Sequence, residues 1–178
     1  TRTMPHSTFT ASPGPTSHAD TPALRSGWWQ RWRLAGRSQT LDPQTLAALQ
    51  TLKQQGLALR GHVLVWPSER NLPNSIKALL PTRDPSVPAK VLAHIDDVVT
   101  ATKDLLGEWD VLNEPYDNHD LMDFYGSSVM ADWFRRAHER HPAARLYIND
   151  YSILSGGGLN VAHQNHYEQT IRTILNAG

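Results

Sequence analysis

The groups in this sequence that could do chemistry stand at the ends of three apolar runs: His62 with Trp66, Asn113 with Glu114, and Asn149 with Asp150 and Tyr151. Aromatic rings stack on sugar faces, amides and carboxylates hydrogen-bond hydroxyls, and a carboxylic acid can protonate a leaving oxygen. Such a set suits a polyhydroxylated ligand. Glu114 is its centre. Apolar Trp109, Val111 and Leu112 lead into Asn113-Glu114, and Pro115, which has no N–H to donate, then ends the ladder. Proline also biases its predecessor toward an extended backbone, so Glu114 is expected to leave the strand end pointing into a cleft. An arbitrary Asn-Glu-Pro more often just opens a surface loop; three strand ends carrying compatible groups favour a site.

The elements that must position these groups follow from the spacing of apolar residues. Asp42-Pro43 reads as an N-cap with proline in the first helical position, and Leu46, Leu49 and Leu52 continue a helix over about 43–55. The run from Leu57 to Trp66 suits a strand buried on both faces. Strict alternation would place His62, Leu64 and Trp66 on one side and Val63 and Val65 on the other. Pro67 to Pro81 reads as a loop with a helical turn near Ser75–Leu80, followed by helical spacing of Val91, Ile95, Val98, Val99, Leu105 and Leu106 up to Gly107. After the Glu114 strand and a loop over Tyr116–Asp120, a helix over about 127–141 carries Val129, Trp133 and Ala137 on one face and closes at Pro142. Arg145–Asp150 is a third strand, and a helix over about 160–176 presents Tyr167, Ile171 and Ile174. Ser155-Gly156-Gly157-Gly158 lacks the Lys-Ser/Thr ending of a phosphate loop and reads as a turn. Repeated strand-then-helix units imply a parallel sheet with right-handed crossovers, whose ligand site lies beyond the carboxyl ends of the strands.

Composition narrows the partners. Lys plus Arg and Asp plus Glu balance at 17 each, so no global field favours nucleic acid or an anionic membrane. There is no Cys, hence no disulfide framework or thiolate zinc site, and no apolar run approaches a membrane span. The chain has 178 residues, enough for one core but short of the roughly 250 typical of a closed eight-stranded barrel. Residues 1–27 are rich in Thr, Ser, Pro, Gly and His and read as loop or disorder, leaving 28–178 as the structured domain. Trp28, Trp29 and Trp32, interleaved with Arg31 and Arg33, could stack on sugars, although covering the end of a core is the commoner use of Trp.

Three stretches together, Arg60-Gly61-His62-Val63-Leu64-Val65-Trp66, Trp109-Asp110-Val111-Leu112-Asn113-Glu114-Pro115 and Leu146-Tyr147-Ile148-Asn149-Asp150-Tyr151, resemble strands three, four and five of glycoside hydrolase family 10 in order and spacing. That family comprises secreted, retaining endo-1,4-β-xylanases on a (β/α)8 barrel. The resemblance, which runs from about residue 41 to 178, implies that Glu114 is the general acid/base and that Asn113 binds the sugar beside the cleaved bond. It places His62 and Trp66 along the glycone subsites and Tyr151 toward the aglycone side. It implies a polysaccharide partner, xylan or xylo-oligosaccharides, no cofactor or metal, and secretion.

The departures matter as much. Many members continue His-Ser-Gln after the Trp, whereas Pro67-Ser68-Glu69 stands here, so that substrate contact falls to Glu69 or is lost. The Asn motif and Lys expected on strand two are missing, and so is the nucleophilic Glu of strand seven. Glu168 sits in a helical pattern, and Asp150, a substrate-binding candidate, ends the wrong strand to replace that nucleophile. The expectation is therefore an incomplete (β/α)8 barrel, about strands three to five, inactive or nearly so as written and left with open strand edges that favour association. Other readings are a non-catalytic carbohydrate-binding half-barrel and another retaining β-glycanase such as a cellulase or mannanase. Metal binding by the i, i+3 pairs His163/His166 and His138/His141 is a further one, although helical His pairs on a solvated face are more often incidental.

Overall fold

The computed structural model describes residues 41–177. The Trp28/Trp29/Trp32 cluster and the boundary expected at residue 27 lie outside them. Three strands, β1 (Arg60–Val65), β2 (Glu108–Asn113) and β3 (Arg145–Asn149), form a parallel sheet in chain order, β1-β2-β3. Chain order across a parallel sheet is the arrangement of a barrel wall, in which every strand pairs with its sequence neighbour.

The sheet is built around β2. Trp109, Asp110, Val111, Leu112 and Asn113 are all buried, as expected of a strand covered on both faces. β1 begins at Arg60 and not at Leu57, because β2 offers its first ladder residue, Glu108, opposite Arg60. Ahead of that pair only the Gly107 amide reaches back, to the Leu59 carbonyl at 3.3 Å, and Leu57 is left exposed. Gly61 pairs with Trp109, and a Cβ on it would lie 2.3 Å from the Trp109 ring; only glycine lets the strands approach here. The pairing slips between His62 and Val65, and Val63, Leu64 and Val65 are all buried. Strict alternation therefore does not carry through β1.

Helices supply the cover. α1 (Pro43–Gln54) starts as read: Asp42 accepts from the Gln44 amide at 3.4 Å with Pro43 in the first turn, and Leu49 enters the core. α3 (Ser86–Thr102) packs on β1 and on α5 (Val129–Arg140) through Val91, Ile95, Val98 and Val99. It stops at Thr102 and not at Gly107, and the next turn folds back on the Thr102 carbonyl through the Leu105 and Leu106 amides. α5 buries Val129, Trp133 and Ala137 against the sheet, and α7 (Val161–Asn176) packs beside it. Burying each large apolar side chain contributes about 1.5–3 kcal/mol.

Short elements fill the loops at the carboxyl ends of the strands. A 3-10 turn spans Glu69–Asn71, α2 spans Asn74–Lys77 and α4 spans Asp120–Tyr125. α4 fills the stretch between the expected Tyr116–Asp120 loop and α5, to which the sequence reading assigned no element, and it is held by the Leu121 amide on the Pro67 carbonyl at 3.0 Å. Ser155–Gly158 forms one hydrogen-bonded turn, α6, with Gly156 and Gly157 in left-handed conformations at φ 65° and 75°. The buried residues of α7 are His163 and Thr170, so its inner stripe is rotated from the apolar one read in the sequence. Tyr167 remains on that side and donates to the Ile148 carbonyl at 3.1 Å.

Candidate active site

Glu114 follows the last residue of β2, but its backbone is not extended: φ is 51°, in the left-handed region. The pre-proline preference is overridden by the hydrogen bonds that hold the residue. Its amide donates to the Asn149 carbonyl at 2.7 Å, and its carbonyl accepts from the Asn118 amide and from Asn118 Nδ2, each at 3.0 Å. A non-glycine residue in this region costs on the order of 1–3 kcal/mol and persists only where its surroundings over-determine it, a condition concentrated at functional sites. Glu114 Oε2 accepts from Asn118 Nδ2 at 3.4 Å, and the side chain stays partly open to solvent.

Beside it, Asn113 is fully buried. Its Oδ1 accepts from Asn149 Nδ2 at 2.6 Å, across the Asn113–Asn149 register pair. Its Nδ2 has no hydrogen-bond partner among the described residues. A buried amide donor without a partner is costly, which is tolerable where a ligand hydroxyl can complete it.

The β3 end is tied to this centre from the side. Tyr151 donates its phenol to the Asp117 carboxylate, and that bond, before burial, raises the Tyr151 pKa above its ordinary value. Asp150 Oδ1 accepts from the Tyr151 amide at 2.8 Å. Its Oδ2 lies 3.0 Å from His163 Nε2, close enough for an ion pair but misaligned for a hydrogen bond, and both side chains are buried. The His163 ring stacks on Tyr116 at 4.1 Å and 14° and meets Tyr151 edge-on at 6.0 Å. His163 is thus not on a solvated face, and the Asp150 carboxylate is buried against it. His166 meets Tyr116 edge-on at 5.3 Å, and burial pulls its pKa below the ordinary value. Among the described residues no three His, Asp or Glu side chains are arranged to hold a metal ion.

His62, half exposed, is tied to Asp110 through Nδ1–Oδ2 at 2.9 Å, while Arg60 Nε approaches the other carboxylate oxygen at 3.0 Å. Burial opposes ionisation of Asp110, but the hydrogen bonds from His62 and Arg60 outweigh it and hold the carboxyl below the usual range. Arg60 also lies 3.9 Å over the Tyr147 ring. Trp66 lies just beyond the carboxyl end of β1, partly buried. Glu69 is exposed in the 3-10 turn, where its amide donates to Asp120 Oδ2 at 2.5 Å.

Sequence reasoning passed over Asn118 and weighed His163 only as half of a metal-binding pair with His166, not as part of this site. Their signals are weak: Asn118 sits at i+4 from Glu114, and His163 sits in the first turn of α7, where Asn160 caps its amide at 3.1 Å.

A parallel wall in chain order, with a carboxylate, paired amides and aromatics at its carboxyl ends, is the arrangement of part of a (β/α)8 barrel. Residues 43–178 match the family described as Glycosyl hydrolase family 10, and the chain belongs to that family. It is similar to endo-1,4-beta-xylanase 5 of Pyricularia oryzae, at 36% identity over 136 residues, covering 73% of this chain and 32% of the relative. It is also similar to endo-1,4-beta-xylanase 3 of Hypocrea jecorina, at 30% identity over 107 residues, covering 57% and 30%. Among solved structures it superposes on a thermostable mutant of a xylanase from Cellvibrio japonicus with TM-score 0.64 and 23% identity, covering 79% of this chain and 43% of that one. For the Thermobacillus composti GH10 xylanase the values are 0.62, 24%, 81% and 41%. The likeness to these structures shows the fold, and the described strands are one part of a (β/α)8 barrel wall. The chain spans about a third of the length of the curated relatives it matches.

Proposed function

We propose that these residues form the acid/base half of a secreted, retaining endo-1,4-β-xylanase site. The observation that carries the reading is the pair at the end of β2: Glu114, fixed in a left-handed conformation with its carboxyl partly open, next to Asn113, whose buried Nδ2 awaits an acceptor. In this reaction Glu114 protonates the glycosidic oxygen as the C1–O bond breaks and a second carboxylate bonds to C1. Glu114 then takes a proton from the water that attacks C1 and displaces that carboxylate. Asn113 Nδ2 donates to a hydroxyl of the sugar beside the cleaved bond. Trp66 and His62 line the glycone side, Tyr151 the aglycone side, and Glu69 stands where many members have Gln. Asp150 holds the Tyr151 amide.

Retention needs two carboxylates about 5–5.5 Å apart. Within these 178 residues we assign only one, so this polypeptide alone should turn over xylan negligibly, while the same residues within a complete eight-stranded barrel should cleave it. Reducing-sugar release from xylan, with cellulose in parallel, tests both statements. Activity of the complete barrel on xylan alone supports the reading. Preference for cellulose would make it another β-glycanase, and saturable binding without product from the complete barrel would make it a binding domain.

A further inference from the structure

Asn118 has no role in the reaction as set out above, yet it is fully buried and meets Glu114 at three points. Its backbone amide and its Nδ2 both donate to the Glu114 carbonyl at 3.0 Å, and Nδ2 also reaches Glu114 Oε2 at 3.4 Å. The other end of the amide faces donors only. Oδ1 accepts from Arg70 Nη2 and from Asn71 Nδ2, each at 3.2 Å. Arg can only donate, so the carbonyl end of the Asn118 amide must face it, and the NH2 end must face Glu114. The guanidinium charge polarises the amide and strengthens the donor it presents to the carboxylate. Asn71 and Arg70 belong to the 3-10 turn after β1 that also carries Glu69.

We infer that Asn118 is a positioning residue for Glu114, fixing both the left-handed backbone and the direction of the carboxyl, and that Arg70 fixes Asn118 in turn. The inference rests on Glu114 being the acid/base. The end of β1 and the end of β2 then move as one unit, and the proton donor keeps its aim on the glycosidic oxygen.

The test separates proton donation from general damage. Within a complete barrel, kcat/KM is measured for xylan, whose sugar leaving group needs a proton, and for 2,4-dinitrophenyl β-xylobioside, whose phenolate leaves without one. For Asn118→Ala we expect a loss of about ten- to hundredfold on xylan, part of the hundredfold or more that general acid catalysis contributes, and a loss within about threefold on the aryl substrate. Arg70→Met removes an exposed side chain that the fold tolerates and should show the same split, smaller. Equal losses on the two substrates in both variants would overturn the role of Asn118 while leaving Glu114 in place. A wild-type barrel that cleaves neither substrate would overturn both.

Discussion

Asn149 Nδ2 donates to Asn113 Oδ1 at 2.6 Å, joining the last residues of β3 and β2 across their register pair. The bond decides which way the Asn113 amide faces. With Oδ1 committed to the neighbouring strand, the donor end is the one left for a ligand.

Asn149→Leu should therefore be felt twice. An unpaired buried Oδ1 costs about 1–3 kcal/mol, and the freed amide loses its orientation. We expect a lower urea midpoint and about tenfold weaker binding of xylotriose by calorimetry. A variant that loses stability but binds normally would show that Asn113 does not contact the sugar.

Gly61→Ala should destabilise the sheet by about 1–3 kcal/mol, the usual cost of overpacking. The added methyl lies 2.3 Å from a fully buried Trp109 ring that has no open space to enter. Urea unfolding followed by Trp fluorescence reads the change. An unaltered midpoint would contradict the close approach of β1 and β2.

His94 makes stability depend on pH. Burial pushes its pKa from 6.5 down to about 3, against a hydrogen bond from Nε2 to the Leu64 carbonyl at 3.1 Å. Below about pH 6.5 the unfolded chain binds a proton at this position and the folded chain does not, so stability falls as pH falls, and it is fully present only above that pH. The limiting slope is about 1.4 kcal/mol per pH unit, reduced here because the residue keeps some contact with water. Asp110 adds its loss only at lower pH, as its depressed carboxyl protonates. Between pH 7 and 5 wild type should lose about 1–2 kcal/mol more than His94→Gln. Equal losses would mean that His94 charges in place.

Tyr151 should titrate late because its phenol is bonded to the Asp117 carboxylate. Asp117→Asn should lower its ionisation midpoint in a spectrophotometric titration, with Tyr151→Phe identifying the signal. An unmoved midpoint would place the phenol away from Asp117.

What the sequence shows of this structure is what local chemistry decides. Asp42-Pro43 caps α1 because the cap needs no distant partner, and Val129, Trp133 and Ala137 face inward because helical spacing alone puts them on one face. Glu114 at a strand end was likewise legible. What escaped depends on a second element. The β1 alternation fails where its pairing with β2 slips, the left-handed backbone at Glu114 exists because Asn118 and Asn149 hold it, and His163 is buried only because Tyr116 and Asp150 cover it. A polar residue in a loop gives no sign in one sequence that it will meet a carboxylate from the preceding strand.

The most direct measurement is kcat/KM of Glu114→Gln within a complete barrel, on xylan and on 2,4-dinitrophenyl β-xylobioside. The amide keeps the shape of the side chain and cannot give up a proton to a leaving oxygen. A fall of at least about a hundredfold on xylan, with the aryl substrate largely spared, is the expected result. Normal turnover of xylan by that variant would contradict the assignment of Glu114 as the acid/base.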